Sequence, residues 1–86
     1  MTFRDKVFSI VKKIPRGKVL TYSEVARRAG NPRAQRAVGN IIGTNRSPQI
    51  PCHRVIRSDG TLGGYSMGGT KVKAQKLRAE GYKPRT

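Results

Sequence analysis

Apolar residues recur at helical spacing from the first turn of the chain. Phe3, Val7, Ile10, Val11 and Ile14 share one face of a helix, the pattern of an amphipathic segment packed against a core. Thr2 with Asp5 three residues later predicts a capping box at its start, and Pro15-Arg16-Gly17 predicts the turn that ends it. Lys18 to Leu20 reads as a short extended link. Thr21 and Glu24 form a second capping box, opening a helix through Val25, Ala26 and Ala29 that stops at Gly30. Asn31-Pro32 then supplies a cap and a favoured first helical residue, which predicts a third helix running to about Gly43. Two short helices joined this tightly predict a helix-turn-helix.

The second half is less periodic. Thr44 to Pro51 reads as a loop with two prolines, and Cys52 to Ile56 as an extended segment. Ser58-Asp59-Gly60 predicts a turn, with Thr61 to Tyr65 returning as a partner strand. Thr70 is expected to cap a last helix ending at Glu80-Gly81, followed by a basic tail. There is no internal repeat. The expectation is one domain over residues 1–86, mainly α, with a winged-helix-like helix-turn-helix and a short β hairpin.

Charge changes the picture most. Nineteen Lys and Arg stand against four Asp and Glu, a net +15, and a field of that sign attracts polyanions, nucleic acid foremost. A packaging protein or a merely solvated basic surface would show the same excess. In a helix-turn-helix the second helix normally meets DNA, and here it would carry Arg33 and Arg36 among the small residues Ala34, Ala37 and Gly39. Glycine in mid-helix costs about 1 kcal/mol against alanine, so Gly39 serves either close backbone approach by a partner or packing between helices. Arg33, Arg46, Arg54 and Arg57 read as phosphate contacts or solvated charges.

One cysteine and one histidine allow no intramolecular disulfide and cannot complete a four-ligand zinc site, so no metal is expected. No apolar run reaches the length of a signal-peptide core or membrane span. The expectation is a soluble cytoplasmic protein, nucleoid-associated in a prokaryote. Cys52 is the candidate nucleophile, although a lone cysteine equally reads as a small buried hydrophobe. In an extended segment neighbouring side chains point to opposite faces, so Cys52 and His53 are not expected to touch. A water could carry a proton between them, and Glu80 could orient the imidazole.

Ile50-Pro51-Cys52-His53-Arg54-Val55 resembles the active-site signature of the O6-alkylguanine-DNA alkyltransferases. Gly17-Lys18-Val19-Leu20-Thr21-Tyr22, Arg36-Ala37-Val38-Gly39, Ser58-Asp59-Gly60 with Gly64-Tyr65-Ser66, and Lys76-Leu77-Arg78-Ala79-Glu80-Gly81 follow in the family's order. The resemblance covers nearly the whole chain. It implies single-turnover DNA repair: an O6-alkylguanine is flipped out of the duplex and its alkyl group passes irreversibly to Cys52. His53 is implied as the base acting through water, Glu80 as its carboxylate partner, and Asn45 as the brace of the active-site loop. Tyr22 is implied to help rotate the nucleotide and to give a proton to the departing guanine. Arg36 is implied to fill the gap in the duplex. Arg33, Ala37 and Gly39 lie with it on the DNA side, and Tyr65, Ser66 and Val55 line the guanine pocket. No cofactor is implied, the partner is double-stranded DNA containing O6-alkylguanine, and a monomer is expected.

Two departures from the family pattern stand out. The N-terminal domain common in the family is absent from this sequence, and Asn45 lies one residue closer to Cys52 than is usual. Non-enzymatic alkyltransferase-like proteins, which bind and flag O6-alkylguanine for other repair machinery, share this domain but replace the cysteine, commonly with tryptophan. Here the residue is Cys52, which favours transfer.

Overall fold

The computed structural model describes residues 1–63, 65 and 67–84. Helix α1 (Phe3–Lys12) leads to strand β1 (Leu20–Thr21), α2 (Tyr22–Arg28) and α3 (Gln35–Ile42). A single 3-10 turn (Cys52–Arg54), strand β2 (Val55–Ile56) and α4 (Gly69–Ala79) follow. Both expected capping boxes form: Asp5 N–H donates to Thr2 Oγ1 and Glu24 N–H to Thr21 Oγ1, each at 3.1 Å, and each acid returns the contact to the cap N–H. Eight N–H groups that the two helix starts would otherwise leave exposed are thus partly satisfied by local chemistry alone.

The chain is mainly α with a helix-turn-helix, as its pattern predicts, but three local expectations are corrected. Asn31-Pro32 does not start α3. Ala34 N–H donates to Asn31 O (3.0 Å), so residues 31–34 form a β-turn with proline at its second position, the placement that proline's fixed φ favours. The helix begins only at Gln35, which leaves Arg33 in the turn. Second, among the described residues β2 pairs with no strand other than β1. The turn at Ser58–Gly60 forms, with Arg57 N–H donating to Thr61 O (2.9 Å), yet the two strands pair in parallel, Leu20 with Val55 and Thr21 with Ile56. Third, Thr70 does not cap α4. Gly68 precedes the helix at φ +139, and Thr70 donates instead to Gly63 O (3.2 Å).

The core gathers one face of each helix. Val7, Val11 and Ile14 meet Val25, Ala26 and Ala29 of the α2 segment, Val38 and Ile42 of α3, and Cys52 with Val55. Ile56, Leu62, Ala74 and Leu77 form a second cluster that seats α4. The α2 end is closed by Gly30 at φ +93, with Gly30 N–H on Arg27 O and Asn31 N–H on Ala26 O, both 3.0 Å. This Schellman arrangement turns the chain sharply into α3. No helix among the described residues is long and apolar enough to cross a membrane.

Candidate active site and DNA-facing surface

Cys52 belongs to the core, only 1% exposed. Its segment is not extended. Arg54 N–H donates to Pro51 O (2.9 Å) and Val55 N–H to Cys52 O, closing the 3-10 turn. At three residues per turn successive side chains diverge by about a third of a circle, so Cys52 and His53 are not thrown to opposite faces. Burial pushes the Cys52 thiol above its ordinary range, while an Asn45 hydrogen bond and the Lys73 charge pull it down. The sulfur therefore rests as a thiol near neutral pH.

Asn45, buried at the end of the α3 segment, organises the loop that carries the sulfur. Its Nδ2 donates to Cys52 Sγ (3.0 Å), Ser47 O (3.2 Å) and Ile50 O (3.4 Å), and its Oδ1 accepts from Ser47 N–H (2.9 Å). The closer spacing of Asn45 to Cys52 does not prevent this contact.

His53 and Glu80 meet across 27 residues, with Nε2 2.9 Å from Oε2. Arg54 completes the group: its Nε donates to Glu80 Oε1 (2.9 Å), its Nη2 to Oε2 (2.7 Å) and its Nη1 to Ile14 O (2.7 Å). Arg54 is thus an internal residue, not a phosphate contact or a solvated charge. Its fork, with help from His53, holds the Glu80 carboxyl down at about 2. Burial lowers His53 despite that carboxylate, so the imidazole is neutral near pH 7. An anionic carboxylate only accepts, so the neutral ring carries its proton on Nε2. Its Nδ1 is then a lone-pair acceptor, buried and with no hydrogen-bond partner among the described residues. Glu80 is delivered by the end of α4, where Gly81 at φ +91 and the bond from Tyr82 N–H to Leu77 O (2.9 Å) stop the helix. Gly17 packs so closely below it that a Cβ there would lie 3.0 Å from Glu80 O.

Two open clefts adjoin this centre. One, of about 740 Å³, is lined by Tyr22, Gln35, Arg36, Gly39, Arg57, Ser58 and Asp59. The other, of about 450 Å³, is lined by Tyr22, Gly39, Ile42, Gly43, Arg57, Gly63 and Tyr65. Tyr65 meets His53 edge to face, with ring centroids 6.3 Å apart. Val55 is fully buried and lines neither cleft, and Ser66 lies outside the described residues. Arg36 and Ala37 are exposed on α3, and Arg33 on the turn before it. A Cβ on Gly39 would meet nothing within 4 Å, so packing within the chain does not require that glycine. Ser23 ties the surface together, donating to Gln35 Oε1 (2.5 Å) and lying 3.0 Å from Ser58 Oγ. Arg46 is exposed, and its Nη1 donates to Gly43 O and Asn45 O just beyond the end of α3.

Lys73 is the functional candidate that pattern reading misses. It is fully buried, its Nζ donates to Leu62 O (2.5 Å), and the ammonium lies 5.7 Å from the Tyr22 ring centroid. Burial lowers it to about 8, partly countered by Cys52. The available signal was its position: residues 73, 74 and 77 form the buried face of α4. Among the described residues no group of three His, Cys, Asp or Glu could hold a metal ion.

The family model described as "6-O-methylguanine DNA methyltransferase, DNA binding domain" matches residues 2–82. A methylated-DNA–protein-cysteine methyltransferase of Methanothermobacter thermautotrophicus is 50% identical over 80 residues, 92% of this chain and 44% of that protein. The Rattus norvegicus protein of the same name is 47% identical over 79 residues, 91% of this chain and 38% of that one. The chain thus spans less than half the length of these relatives. In three dimensions it is similar to Mycobacterium tuberculosis OGT in complex with DNA (TM-score 0.88, 39% identity, 94% of this chain and 49% of that one). It is also similar to S. pombe Atl1 in complex with damaged DNA containing O6-carboxymethylguanine (TM-score 0.82, 37% identity, 92% of this chain and 75% of that one). Sequence and fold agree: the chain belongs to the 6-O-methylguanine DNA methyltransferase family.

Proposed function

We propose that this chain repairs DNA by transferring the alkyl group of O6-alkylguanine directly and irreversibly to Cys52. The observation that carries the reading is the sulfur braced by Asn45 beside a neutral His53 whose Nδ1 is an acceptor with no partner among the described residues. A water on Nδ1 takes the thiol proton as the sulfur attacks the alkyl carbon, and the resulting imidazolium is paired with anionic Glu80. The C–O6 bond breaks, its electrons pass into the guanine ring, and Tyr22 supplies the ring with a proton. The product is a thioether, a poor leaving group, so each molecule acts once.

The alkyl carbon of a stacked base cannot reach a buried sulfur, so the nucleotide leaves the duplex first. Exposed α3 is the element suited to the groove. Arg36 has the reach to occupy the vacated position, and Ala37 with Gly39 leaves room for close approach. Arg33 adds a phosphate contact, and Tyr65 with Ser66 and the backbone at Val55 forms the guanine pocket. Shallow readout of the minor groove suits a protein that searches all sequences. The net charge supports DNA as the partner. The remaining parts of this proposal are one domain acting as a monomer, in the cytoplasm, without a cofactor.

The test is intact-protein mass after incubation with a duplex containing one O6-methylguanine. A gain of one methylene, absent with undamaged DNA and in Cys52→Ser, is the expected result. The similarity to Atl1 favours a second reading, a lesion-binding protein that flags damage without transfer. Tight lesion-selective binding with no mass change would establish that reading instead.

A further inference from the structure

The parallel ladder ends at Thr21 opposite Ile56, so the next residues to leave it side by side are Tyr22 and Arg57. Both line both clefts. They also converge on one point: a Cβ built on Gly63, which sits at φ +73, would lie 3.3 Å from Tyr22 Oη and 3.4 Å from Arg57 Nε. The absent side chain of Gly63 thus leaves a space bordered by both the phenol and the guanidinium. Resting on the transfer reading above, we propose that Arg57 is a positioning residue for Tyr22, stabilising the negative charge left on the phenol oxygen when Tyr22 gives its proton to the departing guanine.

The step balances. Sulfur gains the alkyl carbon, the C–O6 pair enters the guanine ring, a ring nitrogen takes the Tyr22 proton, and the thiol proton leaves through water to His53. What remains is a tyrosinate, which solvent reprotonates. Developing negative charge in a partly desolvated site is where a fixed neighbouring cation is most effective. The groups facing Tyr22 are the Lys73 ammonium over its ring from α4, Cys52 from the 3-10 turn, and Arg57 from the segment after β2, with Arg36, Asp59 and Tyr65 on the cleft walls. Burial raises the phenol, the Arg57 charge lowers it, and Cys52 raises it. A phosphate-binding arginine would act on DNA affinity alone, whereas a partner of Tyr22 acts on the chemistry whether or not a phosphate is present.

The experiment follows Tyr22 ionisation by 19F spectra of protein labelled with 3-fluorotyrosine, the signal assigned by its loss in Tyr22→Phe. Transfer rates are measured from a lesion duplex and from O6-benzylguanine as the free base. In Arg57→Gln the Tyr22 titration is expected to move up by about one unit, with transfer slowed about tenfold on both substrates. Arg57→Lys should restore most of both, and Arg57→Gln should add no slowing in a Tyr22→Phe background. An unmoved Tyr22 titration overturns the proposal, as does slowing confined to the duplex. Were the unaltered protein to transfer nothing to Cys52, the alkyl-transfer reading would fall, and the Tyr22 titration would still decide whether the two side chains are coupled.

Discussion

Arg54 grips Glu80 through a two-pronged fork, Nε on one carboxylate oxygen and Nη2 on the other, at 2.9 and 2.7 Å. The same carboxylate pairs with His53, so Arg54 helps to set the charge and tautomer of the imidazole through Glu80. Glu80 sits at about 2 when folded, against 4.5 ordinarily. A depressed acid stabilises the fold fully above about pH 4.5, and the contribution is lost as pH falls through about 2. Arg54→Met should move that loss toward pH 4.5 and leave Ile14 O without its donor, at a cost of about 1–3 kcal/mol. Urea unfolding between pH 2 and 6 measures both. Identical acid limbs in the two proteins would mean that the fork does not govern Glu80.

Asn45→Ala removes the donor to Cys52 Sγ together with three loop hydrogen bonds. Because that donor lowers the thiol, its loss should raise the Cys52 ionisation further, read by thiolate absorbance against pH. Stability should fall by about 2–3 kcal/mol. An unchanged thiol titration would show that the sulfur does not depend on Asn45.

Lys73 predicts an unusual pH profile. Its folded value of about 8 lies below the ordinary 10.5, so between those limits the unfolded chain binds more protons than the folded one, and stability rises with pH. Thermal unfolding should therefore move to higher temperature from pH 8 to pH 10. In Lys73→Met the rise should vanish, since methionine fills the same space without a charge to bury. A rise that persists in the variant would assign the effect elsewhere.

Two glycines should respond in opposite ways to alanine. At Gly17, φ +84 and a Cβ 3.0 Å from Glu80 O make alanine strained and crowded, a loss of about 1–3 kcal/mol. At Gly39 an added methyl meets nothing and the helix gains up to about 1 kcal/mol, yet DNA affinity should drop because the groove-facing surface has thickened. Melting curves and a duplex titration separate the two. Unaltered DNA affinity in Gly39→Ala would remove α3 from the interface at that point.

DNA affinity itself should fall with salt by about 0.9 log units per tenfold increase for each phosphate neutralised. A flat response, measured by fluorescence anisotropy across a salt series, would detach the +15 charge from binding.

The helices were legible where their signals are local. Thr2 with Asp5 and Thr21 with Glu24 carry their own hydrogen-bond partners within four residues, so the pattern and the outcome coincide. Asn31-Pro32 is ambiguous at that range, because the same pair begins a helix or a β-turn. The two-residue strands are too short to show a period, and their parallel pairing joins segments 35 positions apart. Cys52, His53 and Glu80 were weak candidates by residue type alone and gained roles only through resemblance to a family; the structure brings His53 and Glu80 together. Arg54 did not emerge, since its partners Glu80 and Ile14 are remote in sequence. Lys73 was hidden by its own chemistry: a lysine on an apolar face is ordinarily discounted as a surface charge.

The closure around Glu80 also ties the two ends of the described chain together. Arg16 reaches Ala79 O across 63 residues, and Arg54 reaches Ile14 O across 40, so the earliest loop and the last described helix latch together. Such distant pairings form late, after the loops between them have been closed. During synthesis a chain halted before α4 would already hold its thiol and its arginine-bearing helix, and still lack the carboxylate that pairs with His53. On the transfer reading proposed above, competence would arrive in one step, when the final turn of α4 brings Glu80 to His53.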